Sequence, residues 1–540
     1  MVRQDGGQGH AVGRFASVKL TKQRPTVPYP AAWQRLSAVR QGNTRIGIRP
    51  YAGVPSSQVG SSIPSWTKGH PLADPAISRA LKERADEIQA AFAAIEPAIR
   101  SLAPRQFEGN FTSAAVEHLR DRLGIRVPLD LLTVSWAAPL DIRRLYAHCV
   151  LATFCRLIER QLDRDLARLF EGESAEALIQ RWGFHAIDIT PCADGRLSGV
   201  IDYILRVPPA VVAFRKSYAG ALFDVEESLR HWETVELRRF REARPNAADA
   251  PTRFLKIGVY HFSSVDPRHE GCAAHGSDDA RAAAAVLERL TQFERAVELT
   301  HCCKARAATL LIGVDTDTDA IRVHIPDAAG EMSIERFIDS RTLYELTQGL
   351  SREEGKQAIR EKVAEGMGVP IDDAPTEGLR WFCGYLLKNN LAQVDAVRQW
   401  HGASYSDRGH TEQLIVIGDA VDDVQLRNLA FQAQMDTIEE GASDLDVGVR
   451  ILTALHEPRG LAVPVLVHLR FDPRIPGSRE RAEVRAERLR MAIETRFALL
   501  VSRGGLQVQA VVREGDRGTL YAVAAPSRPP ASASESELHA

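Results

Sequence analysis

The chain has 540 residues, which is too long for one hydrophobic core and predicts about three or four domains. It carries 68 Lys and Arg against 70 Asp and Glu, and this net charge of −2 argues against a general nucleic-acid coat or a polybasic membrane binder. Seven cysteines are too few for a disulfide-stabilised protein of this size and suit a reducing compartment. Without an apolar signal segment or membrane-length apolar run, the expectation is a soluble intracellular protein with no nucleic-acid or membrane partner.

The charge is unevenly distributed along the chain. Residues 1–70 carry ten Lys or Arg and one Asp, a net charge of +9, whereas the remaining residues carry −11. Residues 1–75 are rich in Gly, Pro, Ser and Gln without a regular period, which predicts a disordered basic arm. Aromatic–arginine pairs such as Trp33 with Arg35 suit docking to an acidic partner, although an inert tail fits the composition equally well. The low-complexity segment 526–540 predicts a disordered tail.

Between these ends, the pattern predicts a helical domain followed by α/β structure. Apolar residues recur at helical spacing within residues 76–170, which we interpret as an α-helical domain. Cys149 and Cys155 on its last predicted helix are interpreted as buried small apolar side chains. Short β-branched runs then alternate with helical segments, as in α/β domains. The predicted strands are 187–190, 256–260, 309–314, 321–325, 414–417, 463–469 and 506–512.

The later strands repeat features of the earlier ones. Residues 257–268 and 465–474 each combine an apolar strand and a histidine with a downstream Asp-Pro-Arg, and each set closes with a predicted hairpin. We interpret this as a diverged duplication of one α/β unit, with coincidence among short strand motifs as the alternative. The first unit is predicted over residues 171–405 and the second over residues 406–525.

One short motif carries chemistry. Cys192, Asp194 and Arg196 follow the first predicted strand, with Gly195 between them. A tyrosine phosphatase needs an arginine six residues after its cysteine, where Ser198 stands here. A zinc deaminase needs a second cysteine three residues after the first, where this chain has glycine. Neither class fits the motif.

A zinc site fits the residue types better. His261 ends the next predicted strand and Cys272 follows after a polar loop, so both could join Cys192 as ligands. Three protein ligands leave the fourth tetrahedral position for water, as in catalytic zinc sites. Asp194, held by Arg196, could accept a hydrogen bond from that water and orient it toward a substrate. The alternative for each cysteine is a buried apolar residue and for His261 a core histidine.

The Cys-x-Asp-x-Arg motif at 192–196 resembles the metal and dyad motif of β-class carbonic anhydrases. Those enzymes continue with His-x-x-Cys, whereas ten residues separate His261 from Cys272 here. With the helical N-terminal domain and a second half that lacks the motif, the chain resembles the carboxysome shell carbonic anhydrase family over nearly its whole length. The resemblance implies an α/β (α+β) zinc enzyme: a helical N-terminal domain and two related β-carbonic-anhydrase-like halves, the second degenerate.

The resemblance also implies a site and an activity. One Zn²⁺ per chain is expected on Cys192, His261 and Cys272, with Asp194 and Arg196 as the catalytic dyad. The implied reaction is the reversible hydration of CO₂ to bicarbonate by a zinc-bound hydroxide, which within a carboxysome dehydrates bicarbonate beside Rubisco. The alternative is a non-catalytic, zinc-stabilised scaffold protein of the carboxysome.

The partners follow from the same resemblance. The basic arm is expected to tether the enzyme to Rubisco or a shell protein, and the chain to form a homodimer or higher homo-oligomer.

Three histidines are candidates for passing protons to solvent: His269, His275 and His410. A sugar bisphosphate is a conceivable regulator for which the sequence indicates no site.

Three further features are assigned structural roles. In the second half, Asp419 stands in place of Cys192, and His468 matches His261 imperfectly with no cysteine after it, which indicates a lost site. The His301-Cys302-Cys303 sequence is expected at a helix end, not in a second metal site. Residues 315–319, which alternate Asp and Thr, are expected to form a hairpin turn without calcium.

Overall fold

The computed structural model describes residues 69–161, 174–242, 252–300, 307–370, 378–421, 424–435, 437–515 and 518–523. Most of the predicted arm, the predicted tail and the His301-Cys302-Cys303 sequence lie outside these ranges. The expectations for those segments therefore stay predictions.

The first described region is helical, as predicted. Asp74 caps its first helix by accepting hydrogen bonds from the backbone amides of Ala76 and Ile77 (2.9 and 3.3 Å), and Pro75 occupies the first turn, where no amide is needed. Apolar stripes of the helices share one core, in which Cys149 is fully buried. The helices are α1 (Pro75–Ala93), α2 (Ile95–Arg100), α3 (Phe111–Leu123) and α4 (Ile142–Gln161).

Residues 69–74, the last part of the predicted arm, pack against the α/β part of the chain. The backbone amide of His70 donates to Asp395 Oδ1 (3.2 Å), and its ring contacts Thr347 Oγ1 (2.9 Å). Leu72 is 3% exposed and belongs to the core of the first sheet. The packed structure therefore begins before α1.

The first sheet has six strands in the order β2-β1-β3-β4-β5-β6. The pairs β2–β1, β1–β3 and β3–β4 are parallel, whereas β4–β5 and β5–β6 are antiparallel. Every residue of β1 and β3 is buried, which explains their nearly continuous apolar sequences. The strands are β1 (Ala186–Pro191), β2 (Phe214–Arg215), β3 (Phe254–Phe262), β4 (Ala307–Asp315), β5 (Ile321–His324) and β6 (Phe337–Asp339).

Helices accompany this sheet. Val286, Leu290 and Phe293 lie on one face of the long helix between β3 and β4 and belong to the sheet's core. Gly258 in β3 allows that helix to approach, because a Cβ there would lie 2.4 Å from Val286 Cγ1. The helices are α5 (Ala175–Arg181), α6 (Val225–Arg241), α7 (Asp279–Thr300), α8 (Ser340–Thr347), α9 (Arg352–Met367) and α10 (Gly378–His401).

The second sheet has five strands in the order β11-β10-β9-β7-β8. All of its pairs are parallel except β10–β11, which is antiparallel. Its strands are β7 (Leu414–Gly418), β8 (Ala430–Ala433), β9 (Val463–Phe471), β10 (Leu506–Glu514) and β11 (Leu520–Ala522). Its helices are α11 (Ile438–His456), α12 (Ser478–Arg496) and α13 (Ala498–Ser502).

The two sheets share a topology. Taken in chain order, the first five strands of each sheet occupy the same positions and run in the same directions: four parallel strands are followed by one antiparallel strand. The edge strands β2 and β8 were not predicted, because β2 has only two residues and β8 contains no β-branched residue. The molecule is thus a mixed α/β protein with two mainly parallel sheets and a helical N-terminal region.

The Asp-Thr repeat forms the predicted hairpin turn between β4 and β5. The turn is buried, and its carboxylates bind polar neighbours: Asp317 Oδ2 accepts hydrogen bonds from Ser263 Oγ (2.8 Å) and from the Val265 amide (2.8 Å). Arg341 pairs with Asp315. These contacts hold the side chains of Asp315 and Asp317 within the turn.

Candidate metal centre

The carboxyl ends of β1 and β3 bring the first two predicted ligands together. These strands are parallel neighbours, with Pro191 opposite Val259 in the register. The amide of Cys192, the residue after β1, donates to the Val259 carbonyl (3.0 Å). His261 lies at the end of β3, so both side chains emerge at the edge of the sheet where α/β proteins place their sites.

Cys272 joins them from the loop after β3. It precedes a short 3₁₀ turn, Ala273–His275, and its Sγ lies 4.0 Å from Cys192 Sγ. This is far beyond the disulfide bond length of about 2.05 Å. Cys192, His261 and Cys272 are all buried, and one ligand atom from each lies within 4.8 Å of the others. The structure therefore brings all three predicted ligands to one place.

The donor set fits a zinc ion. Zinc bound tetrahedrally by thiolates at about 2.3 Å places two sulfurs about 3.8 Å apart, close to the 4.0 Å between Cys192 and Cys272. Among the residues that the structure describes, His261 Nδ1 is buried without a hydrogen-bond partner. Two thiols and an imidazole are ligands that zinc prefers.

Two of the predicted ligands, Cys192 and His261, hold protons tightly in this environment. The hydrogen bond with Cys272, together with burial, raises the pKa of Cys192 well above that of a free thiol. Burial lowers the pKa of His261, but Asp194 and Cys192 outweigh it and raise that pKa to about 9. A metal ion bound here has to displace these protons.

Asp194 and Arg196 form a two-point ion pair beside the ligands. Arg196 Nε and Nη2 donate to Asp194 Oδ1 and Oδ2 (3.0 and 2.8 Å), and the Arg196 amide donates to Oδ1 (2.9 Å). The guanidinium is fixed further by the Glu270 carbonyl (2.7 Å). Asp194 Oδ2 lies 3.2 Å from His261 Nε2. This fork holds the carboxylate against a ligand histidine with little freedom to rotate.

The electrostatics of this pair keep both groups charged. Burial would raise the pKa of Asp194, but Arg196 and His261 outweigh it and hold that pKa well below its usual range. Burial also disfavours the charged guanidinium, yet Asp194 and Glu270 raise the pKa of Arg196. Asp194 is therefore an acceptor of hydrogen bonds at neutral pH, not a donor.

A residue that sequence analysis missed completes this surrounding. Glu412 lies in the segment between α10 and β7, fully buried, and a Cβ on Gly195 would lie 2.4 Å from Glu412 Cγ. Glu412 Oε1 lies 2.8 Å from His410 Nδ1, and His410 Nε2 lies 3.9 Å from Asp194 Oδ2. No local motif links position 412 to position 195, so only the tertiary structure reveals this contact.

The three candidate proton-transfer histidines occupy different surroundings. His269 is 77% exposed and pairs with Asp266 (2.9 Å). His275 is buried, and burial lowers its pKa while its Nε2 lies 3.3 Å from the Gly220 carbonyl. His410 is 25% exposed, and although burial lowers its pKa, Asp194 and Glu412 raise it to about 9. Of the three, His410 combines contact with the dyad and contact with solvent.

The second sheet carries no comparable cluster among the described residues. Asp419 follows β7 as Cys192 follows β1, and Gly418 pairs with His468 as Pro191 pairs with Val259. By this register His468 corresponds to Val259, and Arg470 takes the position of His261. The predicted match of His468 with His261 is wrong, because the alignment followed residue type and not strand register.

His468 is instead a core histidine. Its side chain is fully buried, and Nδ1 lies 3.0 Å from the Asp419 carbonyl. Burial lowers its pKa to about 4. The Arg470 amide donates to Asp419 Oδ2 (2.6 Å). The carboxylate that stands in place of Cys192 therefore binds a backbone amide of β9.

In the described part of the chain, none of the helices has the length and apolar character needed to cross a membrane.

Three family models match the chain in succession. They describe the carboxysome shell carbonic anhydrase N-terminal region (residues 70–162), catalytic domain (174–410) and C-terminal region (411–526). Proteins named carboxysome shell carbonic anhydrase are similar to most of the chain. The protein from Halothiobacillus neapolitanus is 42% identical over 469 residues, covering 85% of this chain and 90% of its own.

Two further relatives carry the same name. The Hydrogenovibrio crunogenus protein is 37% identical over 497 residues, covering 91% of this chain and 93% of its own. The Parasynechococcus marenigrum protein is 40% identical over 467 residues, covering 86% of this chain and 80% of its own. The similarity thus extends through the helical region and both sheets.

Proposed function

The chain belongs to the carboxysome shell carbonic anhydrase family, and from that premise we propose that it catalyses the reversible hydration of CO₂ to bicarbonate with one zinc ion per chain. Family membership places the protein in the carboxysome. The direction proposed there is the dehydration of bicarbonate beside Rubisco, which classes the enzyme as a lyase.

One observation carries the proposal: the three buried ligand atoms within 4.8 Å of one another lie directly beside an ionised aspartate fixed by arginine. A structural zinc site is closed by four protein ligands, whereas a catalytic site keeps one position open. Within the described residues, the cluster offers three ligands. This favours catalysis over the zinc-stabilised scaffold.

The chain supplies the groups that zinc-dependent hydration of CO₂ needs. Cys192, His261 and Cys272 would hold the ion, which when bound lowers the pKa of a coordinated water to about 7 and so supplies hydroxide to attack CO₂. Asp194 is ionised and accepts a hydrogen bond from the reacting oxygen, which orients a lone pair toward the carbon. Arg196 holds Asp194 in place and in its charged form.

Proton transfer is assigned to His410. Its Nε2 faces Asp194, its side chain reaches solvent, and Glu412 holds its Nδ1. With its pKa raised to about 9, His410 carries a proton at neutral pH, which suits a donor in the dehydration direction.

The second sheet is proposed to be a degenerate copy of the first. The shared five-strand topology and the Asp419 position after β7 support a duplication in which one copy kept the site. The corresponding units are residues 171–405 and 406–525, after the helical unit 76–170. The basic arm is proposed to tether the enzyme to Rubisco or to a shell protein through its positive charge.

Asp194→Ala tests the catalytic role. We expect zinc content to stay at one ion per chain while CO₂ hydration falls by about 100-fold or more, because the orienting acceptor is lost but the ligands remain. Stopped-flow hydration and metal analysis of the purified full chain measure both. Asp266→Ala is the matched control, since Asp266 is exposed and pairs with His269.

Unchanged hydration in Asp194→Ala would remove the role assigned to Asp194. A zinc-loaded wild-type chain without hydratase activity would favour the scaffold alternative.

A further inference from the structure

A short segment, Ser217–Ala221, lies between the metal centre and the second sheet. The Tyr218 amide donates to the Pro191 carbonyl (3.2 Å), so the segment continues the edge of the first sheet. The Gly220 amide donates to Cys192 Sγ (3.2 Å). The segment therefore contacts a predicted zinc ligand at its sulfur.

Gly220 is required for this contact. Its φ of +67° is in the left-handed region, and a Cβ there would lie 2.6 Å from His275 Nε2 and 3.0 Å from Ala274 Cβ. Those residues form the turn that follows Cys272. The backbone at Gly220 thus fits closely between the two cysteine-bearing loops, where a larger residue would push its amide away from the sulfur.

Two other amides of the segment, those of Ser217 and Ala219, are held by the second α/β unit. The Ser217 amide donates to Gln434 Oε1 (2.7 Å), and the Ala219 amide donates to Asp444 Oδ2 (2.9 Å). Gln434 follows β8 directly, and Asp444 lies in the first half of α11. The amides of residues 217 to 220 therefore alternate between partners in the second and the first unit, and the two anchors from the second unit hold the segment just before the Gly220 amide that binds Cys192.

We propose that Gln434 and Asp444 are positioning residues for the zinc ligand Cys192: they fix the segment so that the Gly220 amide donates to the ligand sulfur. The inference rests on the proposed function, because it matters only if Cys192 binds the metal. An amide donor stabilises the thiolate and reduces the electron density that sulfur gives to the ion. The second unit, which lacks a metal cluster in its described residues, would thus still tune the metal centre of the first.

Asp444→Ala in the full chain loaded with Co²⁺ in place of zinc tests this directly. We expect the sulfur-to-cobalt charge-transfer absorption to move to longer wavelength, because a thiolate without its amide donor gives up electrons more easily. We also expect zinc affinity, measured by chelator competition, to fall about tenfold. Asp444→Asn should restore both values, since its amide oxygen can still accept the Ala219 bond without the charge.

Two further variants keep the test decisive. Asp446→Ala is the control, because Asp446 lies on the same helix but pairs with Arg496 at the surface. Gln434→Ala tests the second anchor independently and serves if Asp444→Ala fails to fold, with Gln434→Glu as the variant that retains the acceptor.

The outcomes separate the inference from the proposed function. Wild-type absorption and affinity in both alanine variants would overturn the positioning role and leave the proposed function intact. If the wild-type chain binds Co²⁺ without a sulfur charge-transfer band, Cys192 is not a ligand, and both fail. A shift in Asp444→Ala that persists in Asp444→Asn would also overturn the inference, because charge and not the hydrogen bond would then be responsible.

Discussion

Asp194 and Glu412 are buried carboxylates near the same metal centre, but their neighbours give them different tasks. Asp194 forms an ion pair with Arg196 and contacts His261, and both interactions keep it ionised beside the predicted ligands. Glu412 contacts His410 at the other ring nitrogen, away from the dyad. In the proposed mechanism, one carboxylate orients the reacting oxygen, and the other orients the histidine that moves the proton.

His410→Ala separates these tasks. We expect kcat for dehydration and hydration to fall about 100-fold in weak buffer while kcat/KM changes little, because proton delivery and not CO₂ binding is impaired. Added imidazole should restore much of the rate. His269→Ala, which changes an exposed histidine, should behave as wild type in stopped-flow measurements. Equal loss of kcat and kcat/KM without rescue would contradict the assignment.

His468 gives a residue-scale prediction about stability. Its native pKa of about 4 lies below the ordinary value of 6.5, so between these pH values the unfolded chain binds a proton that the native chain refuses. The free energy of unfolding should therefore fall as pH drops from 6.5 to 4, by up to about 3 kcal/mol from this group.

His468→Asn should remove that contribution, so that its urea-denaturation midpoint depends less on pH than that of the wild-type chain. His269→Asn, at an exposed position, is the comparison and should keep the wild-type dependence. Parallel pH profiles for the two variants would show that His468 is not the titrating group.

At the scale of elements, the turn after β1 packs against two segments of the second unit: one lies before β7 and the other lies between β7 and β8. The Asn428 amide donates to the Gly195 carbonyl (2.7 Å), and Glu412 occupies the space where a Gly195 side chain would lie. The turn that carries Asp194 and Arg196 is therefore shaped by residues from the second unit. This contact explains why glycine stands between the two dyad residues.

Gly195→Ala tests this packing. The added Cβ would lie 2.4 Å from Glu412 Cγ, so we expect a loss of about 1–3 kcal/mol in unfolding free energy and a loss of hydratase activity as Glu412 and His410 move. Gly384→Ala is the control: no atom lies within 4 Å of its Cβ, and alanine favours the helix α10 by up to about 1 kcal/mol. Urea denaturation and stopped-flow hydration measure both; a Gly195→Ala chain as stable and active as wild type would contradict the packing argument.

Local pattern was enough to predict most elements but not all of them. The long strands β3, β4 and β9 are mostly apolar runs with most of their residues buried, so their sequences are distinctive. The edge strand β2 has two residues and β8 has no β-branched residue, yet β8 brings Gln434 to the candidate metal centre. Strand β8 is thus a missed element that couples the two units.

At the scale of the whole molecule, the uneven charge predicts that the basic arm recruits the enzyme and the acidic remainder of the chain carries the activity. His70 and Leu72 are buried in the described structure, so a deletion that spares their contacts has to end at residue 68. Removing residues 1–68 should leave CO₂ hydration and zinc content unchanged. It should abolish recovery of the enzyme with purified carboxysomes, because the basic segment is the proposed tether.

Immunoblots of purified carboxysomes and stopped-flow assays of the truncated chain measure the two effects. A deletion restricted to the predicted tail, residues 526–540, is the control and should not change recovery. Normal packaging of the enzyme without residues 1–68 would overturn the proposal that the basic arm is the tether.

The features that depend on near neighbours can be predicted from the amino-acid sequence alone. Cys192, Asp194 and Arg196 lie within five residues, so one turn fixes their relative positions, and the helical region and long strands follow from local periodicity. The division into a basic arm and an acidic body is likewise a matter of counting charges.

Which distant residues meet at the site depends on how the chain packs in three dimensions. The approach of Cys272 to Cys192, the contact of Glu412 with Gly195 and the bond from Ala219 to Asp444 all join residues far apart in the chain. The correspondence of Arg470, and not His468, to His261 depends on strand register in the same way. Such contacts are set by how sheets pair and pack, and neither residue spacing nor composition carries that information.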